Sequence, residues 1–234
     1  MASTSSEHIV SSYEDELTQL ARLISEMGGI VEESITNATN ALVRHDHLQA
    51  EEVVTADQRV DEMQRRIDEL AVSMIARRQP MGPDLRQIIA AIHVATDLER
   101  IGDMAKNIGR RTLEMTEQRI TAQLYTGIRH MSELALSQVN RALDAFTARD
   151  PDAAVDVRNR DHEVDAIYMS LFREFLTYMM EDPRNITDCT HLLFCAKNLE
   201  RAGDHATNIA EAAYYMVTGK NLPLELERGG TVNA

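Results

Sequence analysis

Leu98-Glu-Arg-Ile-Gly-Asp103 and Leu199-Glu-Arg-Ala-Gly-Asp204 are two stretches that differ at one position, Ile against Ala, and lie 101 residues apart. A second pair, Asp57-Gln-Arg-Val-Asp61 and Asp161-His-Glu-Val-Asp165, recurs at an offset of 104. The first two stretches are each followed, four residues later, by an asparagine. Nearly constant offsets indicate that one unit of about a hundred residues occurs twice. The duplication predicts two copies of a helical unit related by pseudo-twofold symmetry.

The chain contains few residues that break helices. Between its prolines, apolar residues recur at spacings of three and four, the pattern of a helix with one buried face. Aromatic residues make up only 4% of the chain, which favours helix over sheet. We therefore predict an all-α protein of six long helices, arranged as two pseudo-symmetric three-helix bundles. The predicted helices cover roughly residues 8–44, 47–78, 84–115, 121–148, 151–181 and 186–217.

Local signals predict several helix ends. Asp84 follows a proline-containing turn and is predicted to cap the third helix, and Asp150-Pro151 offers an N-cap with proline at the first helical position. Gly219 can end the last helix, and Gly28-Gly29 predicts a kink or a close approach inside the first. The predicted organisation is a first three-helix repeat over residues 1–118, a second over 119–218 and a flexible C-terminal tail over 219–234.

The composition limits the function classes. Of 234 residues, 44% are hydrophobic, enough for a sizeable core, and the formal net charge is −14 at pH 7. A surface this acidic repels nucleic-acid backbones, so we expect no nucleic-acid partner and disfavour a DNA-binding repressor. We expect no secretory signal and no transmembrane segment. Cys189 and Cys195 are expected to be reduced core thiols of a cytoplasmic protein that meets the membrane only through partners.

The repeated stretches place pairs of carboxylates four residues apart, on one face of a helix. Like charges at this spacing destabilise a helix unless something offsets the repulsion. Glu99 falls on the packing face of its helix, and Gly102 and Gly203 stand mid-helix beside the acids, which predicts a close approach by a helix or a bound ion. The eight acids concerned are Asp57, Asp61, Glu99, Asp103, Asp161, Asp165, Glu200 and Asp204.

Four acids in each half are expected to converge if the helices that carry them pack together. Clusters of oxygen ligands suit Mg, Mn or Fe better than Cu or Zn, so we predict one metal site per half. The alternative is a charge network that needs no ion, because Asp61 can pair with Arg65, and Arg100 and Arg201 stand beside the acids.

The chain resembles the PhoU family of phosphate-signalling proteins over nearly its whole length. Three segments carry the resemblance: residues 95–103, ATDLERIGD; residues 176–182, LTYMMED; and residues 193–204, LFCAKNLERAGD. The resemblance implies two three-helix bundles, and it implies that the E/D-x-x-x-D motifs, which fall here on the eight acids, bind metal.

The resemblance also implies a function without catalysis. It implies an accessory protein of the high-affinity phosphate ABC transporter and a negative regulator of the phosphate regulon, with a PstB-type transporter ATPase and a PhoR-type sensor histidine kinase as partners and a homodimer as the assembly. The chain has no phosphate-binding G-x-x-x-x-G-K-[ST] loop, so phosphate status is expected to be sensed through these partners.

Two further hypotheses are weaker. A ferritin-like di-metal enzyme requires Glu-x-x-His pairs in the bundle, and the nearest approach, Asp188-x-x-His191, occurs in one half only. A long coiled-coil protein requires sustained heptads, which the mid-helix glycines and frequent turns interrupt. A family paralogue that serves another transporter or signalling partner remains the alternative function.

Overall fold

A computed structural model describes residues 3–115 and 122–223, and within these ranges the chain is helical with no strand. The α-helices are α1 (Ser3–Arg44), α2 (His47–Arg78), α3 (Pro83–Glu114), α4 (Ala122–Ala148), α5 (Pro151–Asn159), α6 (His162–Glu181) and α7 (Ile186–Thr218), with a 3₁₀ turn at Pro183–Asn185. The prediction of an all-α protein with six long helices is confirmed, because α5 and α6 together correspond to the fifth predicted helix.

The interruption between α5 and α6 is a feature that the sequence pattern did not predict. Asp150 caps α5 as expected, accepting hydrogen bonds from the backbone N–H groups of Asp152 and Ala153 at 2.9 and 3.0 Å. At the junction the backbone tightens, since the N–H of Asp161 donates to the carbonyl of Arg158 at 3.2 Å. The Arg160 carbonyl accepts from the backbone N–H of Glu163 at 3.0 Å and also from the side-chain amide of Gln138 at 2.8 Å, so α4 contacts the chain directly at the break.

Corresponding turns show that the duplication extends to backbone conformation. His45 ends the turn after α1 and Arg149 the turn after α4, and both have a φ of 54°. The next residue caps the following helix in each case, Asp46 at α2 and Asp150 at α5. All of these positions are related by the offset of 104, so the repeat predicted from short acidic stretches also covers α1 and α4.

One predicted cap is wrong. Asp84 does not cap α3, because the helix begins one residue earlier at Pro83, whose fixed φ suits the first helical position. Gly82 precedes it with a φ of 60°, a conformation that glycine adopts without strain, and no side chain caps this end. Gly219 ends α7 with a φ of 69°, as predicted.

Two three-helix bundles pack side by side, α1 to α3 in one and α4 to α7 in the other. Helices α1 and α4 meet through reciprocal contacts: the Thr39 hydroxyl hydrogen-bonds that of Ser132 at 2.9 Å, while a Cβ on Gly28 would lie 2.6 Å from Leu143 Cδ1. Gly28 corresponds to Ser132 and Thr39 to Leu143 at the offset of 104. Each contact is therefore the symmetry mate of the other, which is the signature of a pseudo-twofold axis.

Both cysteines, Cys189 and Cys195, are buried and unbonded in α7. Among the helices in the described ranges, none combines the length and apolar character needed to cross a bilayer. Residues 116–121, where the first predicted repeat ends, and residues 224–234, most of the predicted tail, lie outside the described part of the chain. The division at residues 118 and 218 therefore stays a prediction.

Two acidic clusters as candidate metal centres

The first acidic cluster comprises Asp57 and Asp61 of α2 with Glu99 and Asp103 of α3. Its geometry follows from a close approach of the two helices, since a Cβ on Gly102 would lie 3.1 Å from a methyl carbon of Val60. Glycine mid-helix costs about 1 kcal/mol relative to alanine, and here it allows the approach.

A lysine that the sequence argument overlooked lies inside the first cluster. The Lys106 ammonium is 2.5 Å from Asp57 Oδ2 and 2.6 Å from Asp103 Oδ1, so it joins α2 to α3. Its side chain is 19% exposed. Burial lowers the pKa of Lys106, but the hydrogen bonds from its ammonium to Asp103 and Asp57 outweigh that effect and raise the pKa overall. The lysine is therefore held in its charged form.

Glu99 is close enough to the other three acids for their charges to shift its pKa. Burial raises the pKa of Glu99, the charges of Asp103, Asp61 and Asp57 raise it further, and Arg100 lowers it. Arg100 itself lies on the solvent side, with Nε 3.6 Å from Glu99 and Nη1 3.8 Å from Asp103. All four predicted acids are thus close enough to influence one another.

The second acidic cluster comprises Asp161 and Asp165, at the start of α6, with Glu200 and Asp204 of α7. Gly203 matches Gly102 only in part: a Cβ there would lie 3.1 Å from Gln138 Oε1 of α4, and 3.6 Å, an ordinary contact distance, from Val164, the counterpart of Val60. The cluster is more open than the first, since Asp165 and Asp204 are both exposed.

Different neighbours surround the second cluster. The Thr207 hydroxyl donates to Asp161 Oδ1 at 2.9 Å, and the Lys197 ammonium pairs with Glu200. The Lys197 side chain is 47% exposed and lies over the Tyr168 ring, so it borders the cluster from outside. In the described residues, neither Asp165 nor Asp204 forms an ion pair.

The pKa values of two acids in the second cluster, Asp165 and Asp204, are raised. Partial desolvation raises the pKa of Asp165, and the charges of Asp161 and Glu200 raise it further, while Lys197 lowers it. Desolvation also raises the pKa of Asp204, as do the charges of Glu200, Asp161 and Asp165. Such mutual repulsion favours a bound cation.

The two clusters differ in how well they suit a metal ion. All eight side chains supply carboxylate oxygens, the ligands that Mg and Mn prefer. The described side chains nevertheless include no group of three His, Cys, Asp or Glu residues already arranged to hold an ion. In the first cluster the Lys106 ammonium stands between two of the acids, and the donor set therefore does not fit a metal as it is. The second cluster fits better because its inner neighbour is a neutral hydroxyl.

Helices α3 and α7 also meet through a polar contact that the sequence did not reveal. His205 Nδ1 lies 2.8 Å from Asp97 Oδ1, and the side-chain amide of Asn208 donates to the same oxygen at 3.2 Å. These residues join the two bundles beside the second cluster. Among the described side chains no equivalent contact joins the matching repeat positions, so the repeated motifs gave no sign of it.

Comparison with known proteins assigns the chain to a family. The family model described as PhoU domain matches twice, over residues 24–112 and 128–213. The chain belongs to the PhoU family. The double match agrees with the duplication seen in the repeats and in the paired turns. Each match includes the acids of one cluster.

Relatives of the same length support this membership. A protein of Rhizobium meliloti (strain 1021), named phosphate-specific transport system accessory protein PhoU homolog, is 53% identical over 91% of this chain and 90% of its own. A protein of the same name from Caulobacter vibrioides (strain NA1000 / CB15N) is 48% identical over 92% of this chain and 94% of its own.

Solved PhoU structures share the fold. The crystal structure of PhoU from Pseudomonas aeruginosa has a TM-score of 0.84 at 40% identity and covers 89% of this chain and 100% of that one. The phosphate transport system regulatory protein PhoU from Streptococcus pneumoniae has a TM-score of 0.83 at 28% identity, covering 91% and 100%. The two-bundle architecture is therefore that of known PhoU proteins.

Proposed function

We propose that this PhoU protein is an accessory protein of the high-affinity phosphate ABC transporter and a negative regulator of the phosphate regulon. The observation that carries the proposal is the 53% identity, over 91% of the chain, to a relative named as an accessory protein of the phosphate-specific transport system. The match spans both bundles and nearly the full length of both chains. It therefore extends well beyond a shared fold.

The proposed action is by contact and not by catalysis. The protein contacts a PstB-type transporter ATPase and a PhoR-type sensor histidine kinase, and it keeps kinase output low when phosphate is plentiful. A pair of packed helical bundles with a net charge of −14 suits an adaptor that presents acidic helical surfaces to such partners. It acts in the cytoplasm as a homodimer and reaches the membrane through the transporter.

Deletion of the gene should derepress a phosphate-regulated promoter in high phosphate, and restoring the intact chain should return the output to the wild-type level. A promoter fusion measures this directly. Deleting the gene for the sensor kinase as well should abolish the derepression. Derepression that persists without the kinase contradicts the proposed route, and unchanged output in the single deletion indicates a paralogue that serves another partner.

We further propose that metal binds at the repeated acidic motifs, where the second cluster is the better fit, with Mg, Mn or Fe as the candidate ions. Convergence of four carboxylates in each half supports this proposal, as do the raised pKa values of Glu99, Asp165 and Asp204. A bound cation would offset the repulsion between like charges four residues apart on the same helix. When bound, an ion would tie together the two helices that contribute its ligands.

Changing Glu99, Asp103, Glu200 and Asp204 to alanine should remove most bound metal while circular dichroism shows unchanged helicity. Elemental analysis of protein loaded with Mn²⁺ measures the metal content. The matched control changes four exposed glutamates outside both clusters to alanine and thus alters net charge equally: Glu32, Glu33, Glu51 and Glu69. Equal metal content in the two variants would refute the ligand assignment.

A further inference from the structure

One position distinguishes the inner faces of the two clusters. Lys106 and Thr207 correspond at the offset of 101, three residues after Asp103 and Asp204 respectively. Each side chain reaches across to the aspartate of the neighbouring helix, Lys106 to Asp57 and Thr207 to Asp161. One cluster therefore contains a cation of its own where the other contains a neutral hydroxyl.

We infer that the first cluster does not take the metal ion that its motifs imply, because Lys106 occupies the bridging position as a built-in cation; the proposed metal binding then falls to the second cluster. This inference rests on the proposed metal binding and states which cluster performs it. The first cluster then holds α2 and α3 together without any ion. Only the second can change its state with metal supply.

The geometry of Lys106 explains why a metal ion would bind poorly beside it. Its ammonium lies within 2.6 Å of one carboxylate from each helix, which is the bridging position an ion would take. Charge-assisted bonds of this kind are about twice as strong as neutral ones. An entering ion must break both bonds and then remain near a positive charge that has little freedom to leave, because the lysine side chain is mostly buried.

The second cluster lacks such an internal cation. Lys197 occurs at the repeat position that Thr96 occupies in the first half. Its half-exposed side chain approaches from the solvent side, where the ammonium pairs with Glu200 and lies over the Tyr168 ring. Thr207 occupies one oxygen of Asp161. The break between α5 and α6 falls directly beside Asp161, where the first half has an uninterrupted helix.

The test exchanges the two inner residues. Metal-free full-length protein is titrated with Mn²⁺ alone, and bound Mn²⁺ is counted by electron paramagnetic resonance. The wild type should bind Mn²⁺; a D165N/D204N variant should lose it, and a D61N/D103N variant should retain it. Lys106→Thr should raise the bound Mn²⁺ per chain about twofold if the sites act independently. Thr207→Lys should weaken binding by about tenfold or more.

Arg100→Thr is the matched control, because it removes a positive charge from the solvent side of the same cluster and should leave the amount of bound Mn²⁺ unchanged. Circular dichroism of every variant checks folding, and the two double variants locate the ion without changing Lys106 or Thr207. If both clusters of the wild type bind Mn²⁺ equally, or if only the D61N/D103N variant loses bound Mn²⁺, the inference is overturned, although the protein still binds metal. If neither the wild type nor any variant binds Mn²⁺, the proposed metal binding is overturned as well. The proposed regulatory role would be unaffected, because the promoter fusion tests it separately.

Discussion

Replacing Gly109 with leucine lowers the melting temperature of the protein by about 10 °C, the first of two large effects that we expect from the helix packing. A Cβ at this position of α3 would lie 3.1 Å from the backbone carbonyl oxygen of Ala50 and 3.3 Å from a methyl carbon of Val54. A carbonyl inside a helix cannot move aside as a flexible side chain can. The remaining leucine atoms would therefore force α2 and α3 apart, at a cost of about 3 kcal/mol.

Gly29→Ala is the control for this prediction, since Gly29 is exposed in α1 and a Cβ there meets nothing within 4 Å. It should stabilise the protein by about 1 kcal/mol through helix propensity alone. Thermal unfolding followed by circular dichroism measures both variants. A Gly109→Leu protein that melts with the wild type would show that α2 and α3 do not approach so closely in solution.

The helical architecture could be predicted because its signals are local. Proline positions and apolar spacing predicted the long helices, and the bounds of α2 agree with the prediction at both ends. The interruption between α5 and α6 could not be predicted in the same way, since Arg160 and Asp161 carry no helix-breaking chemistry. At the break, Gln138 of α4 donates to the Arg160 carbonyl, which is a tertiary contact. The cap at Asp84 was wrong because proline at the first position determined where α3 begins.

The candidate site was predictable in part for the same reason. Repetition singled out the acids, and the structure brings the four of each half together. The role of Lys106 depends on a contact between residues 49 apart on different helices, which helix periodicity cannot indicate. The Lys106 and Thr207 difference was nevertheless visible, because it stands within an aligned repeat whose acids are identical. A comparison of all residues around the repeated acids, positive as well as negative, would have found it.

Replacing Phe175 with alanine should destabilise the protein by about 4 kcal/mol, the second large effect. Phe175 is the largest of the fully buried side chains, with no exposed surface, and it anchors α6 against the rest of the second bundle. Truncation removes its buried apolar surface and leaves a cavity, and both effects add to the cost. Met180→Ala, on the same helix at 85% exposure, should change stability by less than about 0.5 kcal/mol.

The Phe175 variant also connects packing to the proposed site. Helix α6 carries Asp165 and packs against α4 and α7, so loosening it should disturb the ligands of the second cluster while those of the first remain in place on α2 and α3. Amide hydrogen exchange should show faster exchange confined to the α6 region, and Mn²⁺ affinity should fall. Because the metal-binding cluster is inferred to be the second, unchanged Mn²⁺ affinity together with faster exchange in α6 would place the bound ion elsewhere.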